Sequence, residues 1–133
     1  MGEPKLASVV VATDGSERAG RAVAFAAKLS ACFGATLTLL HISNDPSAPV
    51  AVQEQAKRSG AALKVVISDQ PAEAIVEAAS EMGADAIVLG NMGMSDRKEF
   101  LLGNVPNRVS HKSNCTVIIV DTRDEKARKK DRR

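Results

Sequence analysis

The chain has 133 residues, a net charge of +2 and 2% aromatic residues. That length suits one domain able to bury roughly two thirds of the surface its unfolded chain exposes. Cys32 and Cys115 stand far apart with no CxxC and no histidine at ligand spacing, which argues against a disulfide framework or a zinc site and for a reducing cytoplasm. With no Trp, no Tyr and three Phe, the chain offers no stacking platform, so nucleic acid is excluded as the main ligand. "MGEPKLASVV" carries no basic segment followed by a long apolar core, and no run approaches about 18 apolar residues, so no membrane segment is expected.

In chain order, "ASVVVAT" (7–13) is a short β-branched run closed by Asp14-Gly15-Ser16, which predicts a strand buried on both faces and a turn into a helix. Ser16 is placed to cap that helix, with Ala19, Ala22, Val23, Ala26, Leu29 and Phe33 at helical spacing and Gly34 at its end. Strand two is "ATLTLLHI" (35–42), followed by the loop "SNDPSAP" and a short helix over 50–60. "LKVVIS" (63–68) predicts strand three; Pro71 opens a helix whose stripe Ala72, Ile75, Val76, Ala79 and Met82 ends at Gly83. Strand four spans 85–90, a helix 104–113 and strand five 115–121. The domain thus covers 1–121. The remainder, 122–133, has seven Lys/Arg against three Asp/Glu and reads as a basic, disordered, solvated tail.

Alternation of strands and helices predicts an α/β fold with a five-stranded parallel sheet covered on both faces. If strand one is central, with two and three on one side and four and five on the other, the order is 3-2-1-4-5. Ligands of such sheets bind where the order reverses, between strands one and four. Asp14-Gly15-Ser16 and "GNMGMSDRKEFLLGN" (90–104) then meet at one crevice. Glycine at 90 and 93 would turn the backbone sharply and free its amides, and Gly103 would expose the first turn of a helix to an anion.

Two phosphate motifs are excluded. In "GSERAGRA" (15–22), Arg21-Ala22 replaces the Lys-Ser/Thr pair of a P-loop, which removes the usual hold on magnesium. A GxGxxG dinucleotide fingerprint is missing altogether. His41 and His111 lack a paired carboxylate or nucleophile at usable spacing and read as packing or surface residues; Cys32 reads as core. Ser16 and Ser95 have no base beside them.

Gly90-x2-Gly93-x9-Gly103, together with "VATDGS", "LTLLHI" and "KSNCTVIIV", resembles the universal stress protein family over nearly all of residues 7 to 121. The resemblance implies a Rossmann-like domain, a homodimer built around the last strand (115–121), and an adenine nucleotide in the crevice, most often ATP. It places Ala12 and Asp14 beside the adenine and ribose and the backbone of Ile42 at the adenine edge. Gly90, Asn91, Met92, Gly93, Met94 and Ser95 would wrap the ribose and phosphates. Gly103, Asn104 and Val105 would present the helix N-terminus to the phosphates. Asp14, an acceptor when ionised, suits a ribose hydroxyl and equally suits initiation of the turn.

Asn104 stands where the family pattern has Ser or Thr, and the segment between strands two and three is short. "GNMGMS" and "NVPNRVS" resemble the branch associated with cyclic AMP, and only Arg97 and Lys98 among the motif residues are basic, a thin complement for a triphosphate. The expected function is a regulatory adenine-nucleotide-binding protein of the stress response, without efficient turnover. The alternatives are a homodimeric interaction module that binds no nucleotide and a slow ATPase.

Overall fold

The computed structural model describes residues 5–91, 104–124 and 126. In chain order they form β1 (Ser8–Ala12), α1 (Glu17–Phe33), β2 (Thr36–Ser43), α2 (Val50–Ser59), β3 (Ala62–Ile67), α3 (Pro71–Glu81), β4 (Ala86–Gly90), α4 (Asn104–Lys112) and β5 (Thr116–Val120). The strands make one parallel sheet in the order β3-β2-β1-β4-β5. This is the Rossmann-like α/β arrangement expected from the alternation of elements.

The centre of the sheet is apolar because both faces are covered. On one face Val9, Val11 and Leu39 pack with Ala22, Val23 and Ala26 of α1 and Val52 and Ala56 of α2. On the other, Ile87 and Leu89 of β4 pack with Ala72, Ile75 and Ala79 of α3 and Val105 and Val109 of α4. Consecutive residues of β1 therefore serve opposite layers: Val10 joins Leu40 and Ala78. Edge positions belong to β3 and β5, and Ile119 on β5 is 45% exposed.

Local chemistry sets the helix limits. The Ser16 hydroxyl accepts from the Ala19 amide at 3.1 Å, and Gly34 adopts φ 65°, letting the Ala35 amide reach the Ser30 carbonyl at 2.8 Å. Two expectations for α1 are corrected. Phe33 is 62% exposed and Cys32 is exposed, because the buried face runs through Ala19, Ala22, Val23, Ala26 and Ser30 instead. Cys115 is half-buried immediately before β5; burial, aided by Asp85, pushes its thiol above the ordinary range and keeps it protonated.

The start of β1 is fastened by Asp85, whose Oδ2 accepts from the Ala7 amide at 2.8 Å and the Ser8 amide at 3.0 Å. Those bonds, with a smaller contribution from Lys5, hold its carboxyl below the ordinary aspartate value. A lowered folded pKa gives stability that is complete above the ordinary value of about 4 and is lost as pH falls through the folded value. Asp85→Asn is accordingly expected to flatten the acid side of the stability curve below about pH 4 and leave its neutral part nearly unchanged in slope. Urea titrations at a series of pH values check this.

Candidate functional site

The order of strands reverses between β1 and β4, and in sheets of this class the crevice for a ligand lies beyond the C-terminal ends of two such strands. Ala12, the last residue of β1, shares a buried cluster with Leu89 of β4 and Val105 of the first turn of α4, and Ile42 of β2 packs against it. Three residues expected at the adenine and phosphate ends, Ala12, Ile42 and Val105, are thus joined by one apolar floor. Three strands and a helix supply it, although 93 positions separate Ala12 from Val105.

Above that floor the β1–α1 turn is tightly braced. Asp14 Oδ1 accepts from the Ser16 amide at 2.8 Å, which closes the turn and leaves Oδ2 without a hydrogen bond among the described residues. The buried Thr13 hydroxyl donates to Gln55 Oε1 at 2.6 Å and accepts from the Gly15 amide at 3.0 Å. Gln55 Nε2 in turn donates to the Ser16 carbonyl at 3.1 Å. His41 Nδ1 lies 3.0 Å from the Thr13 carbonyl, so that nitrogen carries the proton. Both readings of Asp14 are compatible, since one carboxylate oxygen makes the turn and the other remains for a hydroxyl.

The β4 wall differs from expectation. Gly90 is the last residue of β4, paired with Val120, and it is not among the glycines with positive φ. A Cβ there would lie 2.9 Å from the Thr122 Cγ2, so glycine is required by close packing and not by a sharp backbone turn. The next amide is also occupied, because Asn91 N–H donates to the Val120 carbonyl at 2.8 Å. Met92, Gly93, Met94, Ser95 and Gly103 lie outside the described residues, and Asn104 is described only as the first residue of α4.

Beside the crevice, a cleft of about 350 Å³ lies between the starts of α3 and α4, lined in part by Gln70, Glu73, Val105 and Arg108. Arg108 is bonded to Glu73, which Lys112 also reaches at 3.1 Å. Lys112 first, with the Glu73 backbone and Arg108 adding, holds the Glu73 carboxyl below its ordinary range. Among the described residues no group of three or more His, Cys, Asp or Glu could hold a metal ion.

A model of the universal stress protein family matches residues 6–65 and 55–121. The chain belongs to the universal stress protein family. Within that family it is 34% identical to universal stress protein Rv1636 of Mycobacterium tuberculosis, over 86% of this chain and 96% of the relative. Universal stress protein YxiE of Bacillus subtilis is 28% identical, over 84% of this chain and 97% of the relative. Among solved structures, a universal stress protein in complex with cAMP is 36% identical, with a TM-score of 0.71 over 88% of this chain and 98% of that one. The family match runs from β1 to β5. No helix among the described residues is long and apolar enough to cross a membrane.

Proposed function

We propose that this universal stress protein binds an adenine nucleotide in the crevice between β1 and β4 and acts as a regulatory binding protein of the stress response, not as an efficient enzyme. The observation that carries the reading is the gathering of Ala12, Ile42 and Val105 into one apolar floor beside the Asp14 turn, at the point where the strand order reverses. An adenine ring needs an apolar surface and main-chain partners, and the chain's lack of Trp and Tyr leaves aliphatic contacts to supply the first. Asp14 Oδ2 takes a ribose hydroxyl. Phosphate is held from the glycine segment beyond Asn91, Met92 to Ser95, and from Asn104 and Val105 at the start of α4 with Gly103 before them in sequence, since amides at a helix start favour an anion.

A single phosphate fits best. The neighbour 36% identical to this chain is a complex with cAMP, and the motif holds few cations to balance three phosphates. Cyclic AMP is therefore the first ligand to test, ahead of AMP and ATP. Thermal melting with each nucleotide at millimolar concentration is expected to show the largest rise with cyclic AMP; ligand at 100 times its Kd stabilises by about 2.7 kcal/mol. No shift with any of the three would remove the proposal, and steady ATP turnover above about one per second would favour the enzyme reading instead.

Asp14→Asn tests the ribose contact. Asparagine Oδ1 can still accept from Ser16 and preserve the turn, whereas an amide replaces the second carboxylate oxygen. A hydrogen bond to a charged group contributes about 1.5–3 kcal/mol, so the nucleotide Kd is expected to rise roughly 10- to 100-fold with little change in melting temperature. An unchanged Kd would confine Asp14 to the turn.

The same reading includes a homodimer. β5 is an unpaired edge with Ile119 exposed, and pairing with its copy about a two-fold axis would cover it. Ile119→Lys is expected to shift sedimentation from dimer toward monomer at micromolar concentration. A wild-type protein that sediments only as monomer would dispose of this.

A further inference from the structure

Asn91 was expected to touch the ligand, yet its polar groups are engaged elsewhere. Its amide N–H donates to Val120, its Oδ1 accepts from the Thr122 amide at 3.0 Å and the Thr122 hydroxyl at 3.2 Å, and its Nδ2 lies 3.5 Å from Asp121 Oδ1. Thr122 is fully buried and sits against Gly90, where a side chain would collide with it. From α1, Arg21 Nη1 donates to the Thr122 carbonyl, bridging 101 positions of sequence. Asp121 is gripped in turn by Arg123, with Nε at 2.9 Å and Nη2 at 2.8 Å.

We infer that Asn91, Thr122 and Arg21 form a clasp that positions the β4 wall of the crevice, so that Asn91 acts on the ligand through the backbone it fixes and not by contact. The inference rests on the nucleotide reading and refines it. A ligand gains no bond from an amide and a side-chain oxygen already satisfied inside the protein, but it gains from a chain held in its bound path before binding, because ordering that chain would otherwise oppose association. Residue 91 directly follows the last residue of β4. The clasp fixes that point from three directions: β5 by the Val120 carbonyl, the following residues by Thr122, and α1 by Arg21. Thr122, the first residue assigned to the tail by composition, thereby belongs to the machinery of the crevice.

The test uses the full chain and cyclic AMP, with Kd measured by calorimetry at a temperature where every variant is folded. Arg21→Met removes the anchor to the Thr122 carbonyl, Thr122→Val keeps the side-chain shape over Gly90 but loses the hydroxyl, and Asn91→Ala removes the acceptor of both Thr122 groups. Gly34→Ala, at the far end of α1, serves as the control: it lowers the melting temperature without altering the clasp. Each clasp variant is expected to raise the Kd about five- to tenfold with unchanged stoichiometry, and the control to leave it unchanged. A rise for Asn91→Ala alone would make Asn91 a direct contact and overturn the inference, as would no rise in any variant. Amide exchange at Asn91 and Thr122 in nucleotide-free protein separates this outcome from failure of the nucleotide reading. If wild type binds none of cyclic AMP, AMP and ATP, the functional reading falls, while faster exchange in Arg21→Met would still establish the clasp and unchanged exchange would refute it.

Discussion

Gly15→Ala is expected to destabilise the protein by roughly 2–4 kcal/mol, the sum of a backbone and a packing cost. Gly15 has φ 87°, and a Cβ added there would lie 3.1 Å from Ala51 Cβ and 3.1 Å from Val52 Cγ2. A left-handed backbone costs a non-glycine residue about 1–2 kcal/mol. The contacts add to this because Val52 is fully buried between α1, α2 and the sheet and cannot swing aside. Gly34→Ala separates the two costs, since Gly34 has φ 65° with nothing within 4 Å of the added atom. That variant should lose only the backbone part. In urea titrations both midpoints should fall with unchanged slope, Gly15→Ala by at least twice as much; equal losses would mean that α2 yields freely. Gly15→Ala should also weaken nucleotide binding, because α2 can relieve the clash only by moving the turn that carries Asp14.

That turn shows which parts of the site can be read in the sequence. Asp14-Gly15-Ser16 after a β-branched run announces a strand end, a turn and a capped helix, and the bonds that the Asp14 carboxylate and the Ser16 hydroxyl accept come from amides two and three residues on. Local chemistry leaves local signatures. Gln55 leaves none, because its value lies in reaching Thr13 and Ser16 across 42 and 39 positions, and on a short helix of moderate polarity it resembles any solvated glutamine. The same holds for Arg21, which reads as the wrong residue in a P-loop and becomes a tether to Thr122 only once β5 is laid beside β4.

Gly90 illustrates a different failure. A glycine before a loop is ambiguous between a needed dihedral and a needed vacancy, and the glycine pattern favoured the dihedral. The vacancy won, since the Thr122 methyl fills the place of a Cβ. On α1, helical spacing points to Phe33 as core, whereas Ser30, polar but four residues on from Ala26, takes the buried position. Ser30 is 4% exposed and Phe33 62% exposed. The parallel α/β class, by contrast, is legible from the alternation of strands and helices, whereas the order 3-2-1-4-5 follows only on the condition that strand one is central, which the structure meets.

Leu89→Ala is expected to cost about 2–5 kcal/mol, the range for a buried leucine whose surroundings relax only partly. Leu89 is 1% exposed, and its side chain supports Ala12, Val105 and Val109 from β4. Leu39→Ala, on β2 and fully buried, should cost a similar amount on the opposite face, among Val9, Val11, Val52 and Ala56. The two variants therefore match in stability loss but differ in what lies above the missing atoms. Beneath the crevice, a truncated Leu89 lets Ala12, Ile42 and Val105 settle inward, so the adenine would lose its flat apolar contact and cyclic AMP affinity should fall several-fold. Beneath α1 and α2, the loss of Leu39 leaves that floor where it was, and affinity at a temperature where the protein is folded should hold. Calorimetric Kd values compared at matched fractions folded decide the matter: a loss confined to Leu89→Ala places the base on this floor, whereas equal Kd values for the two variants would place the adenine elsewhere.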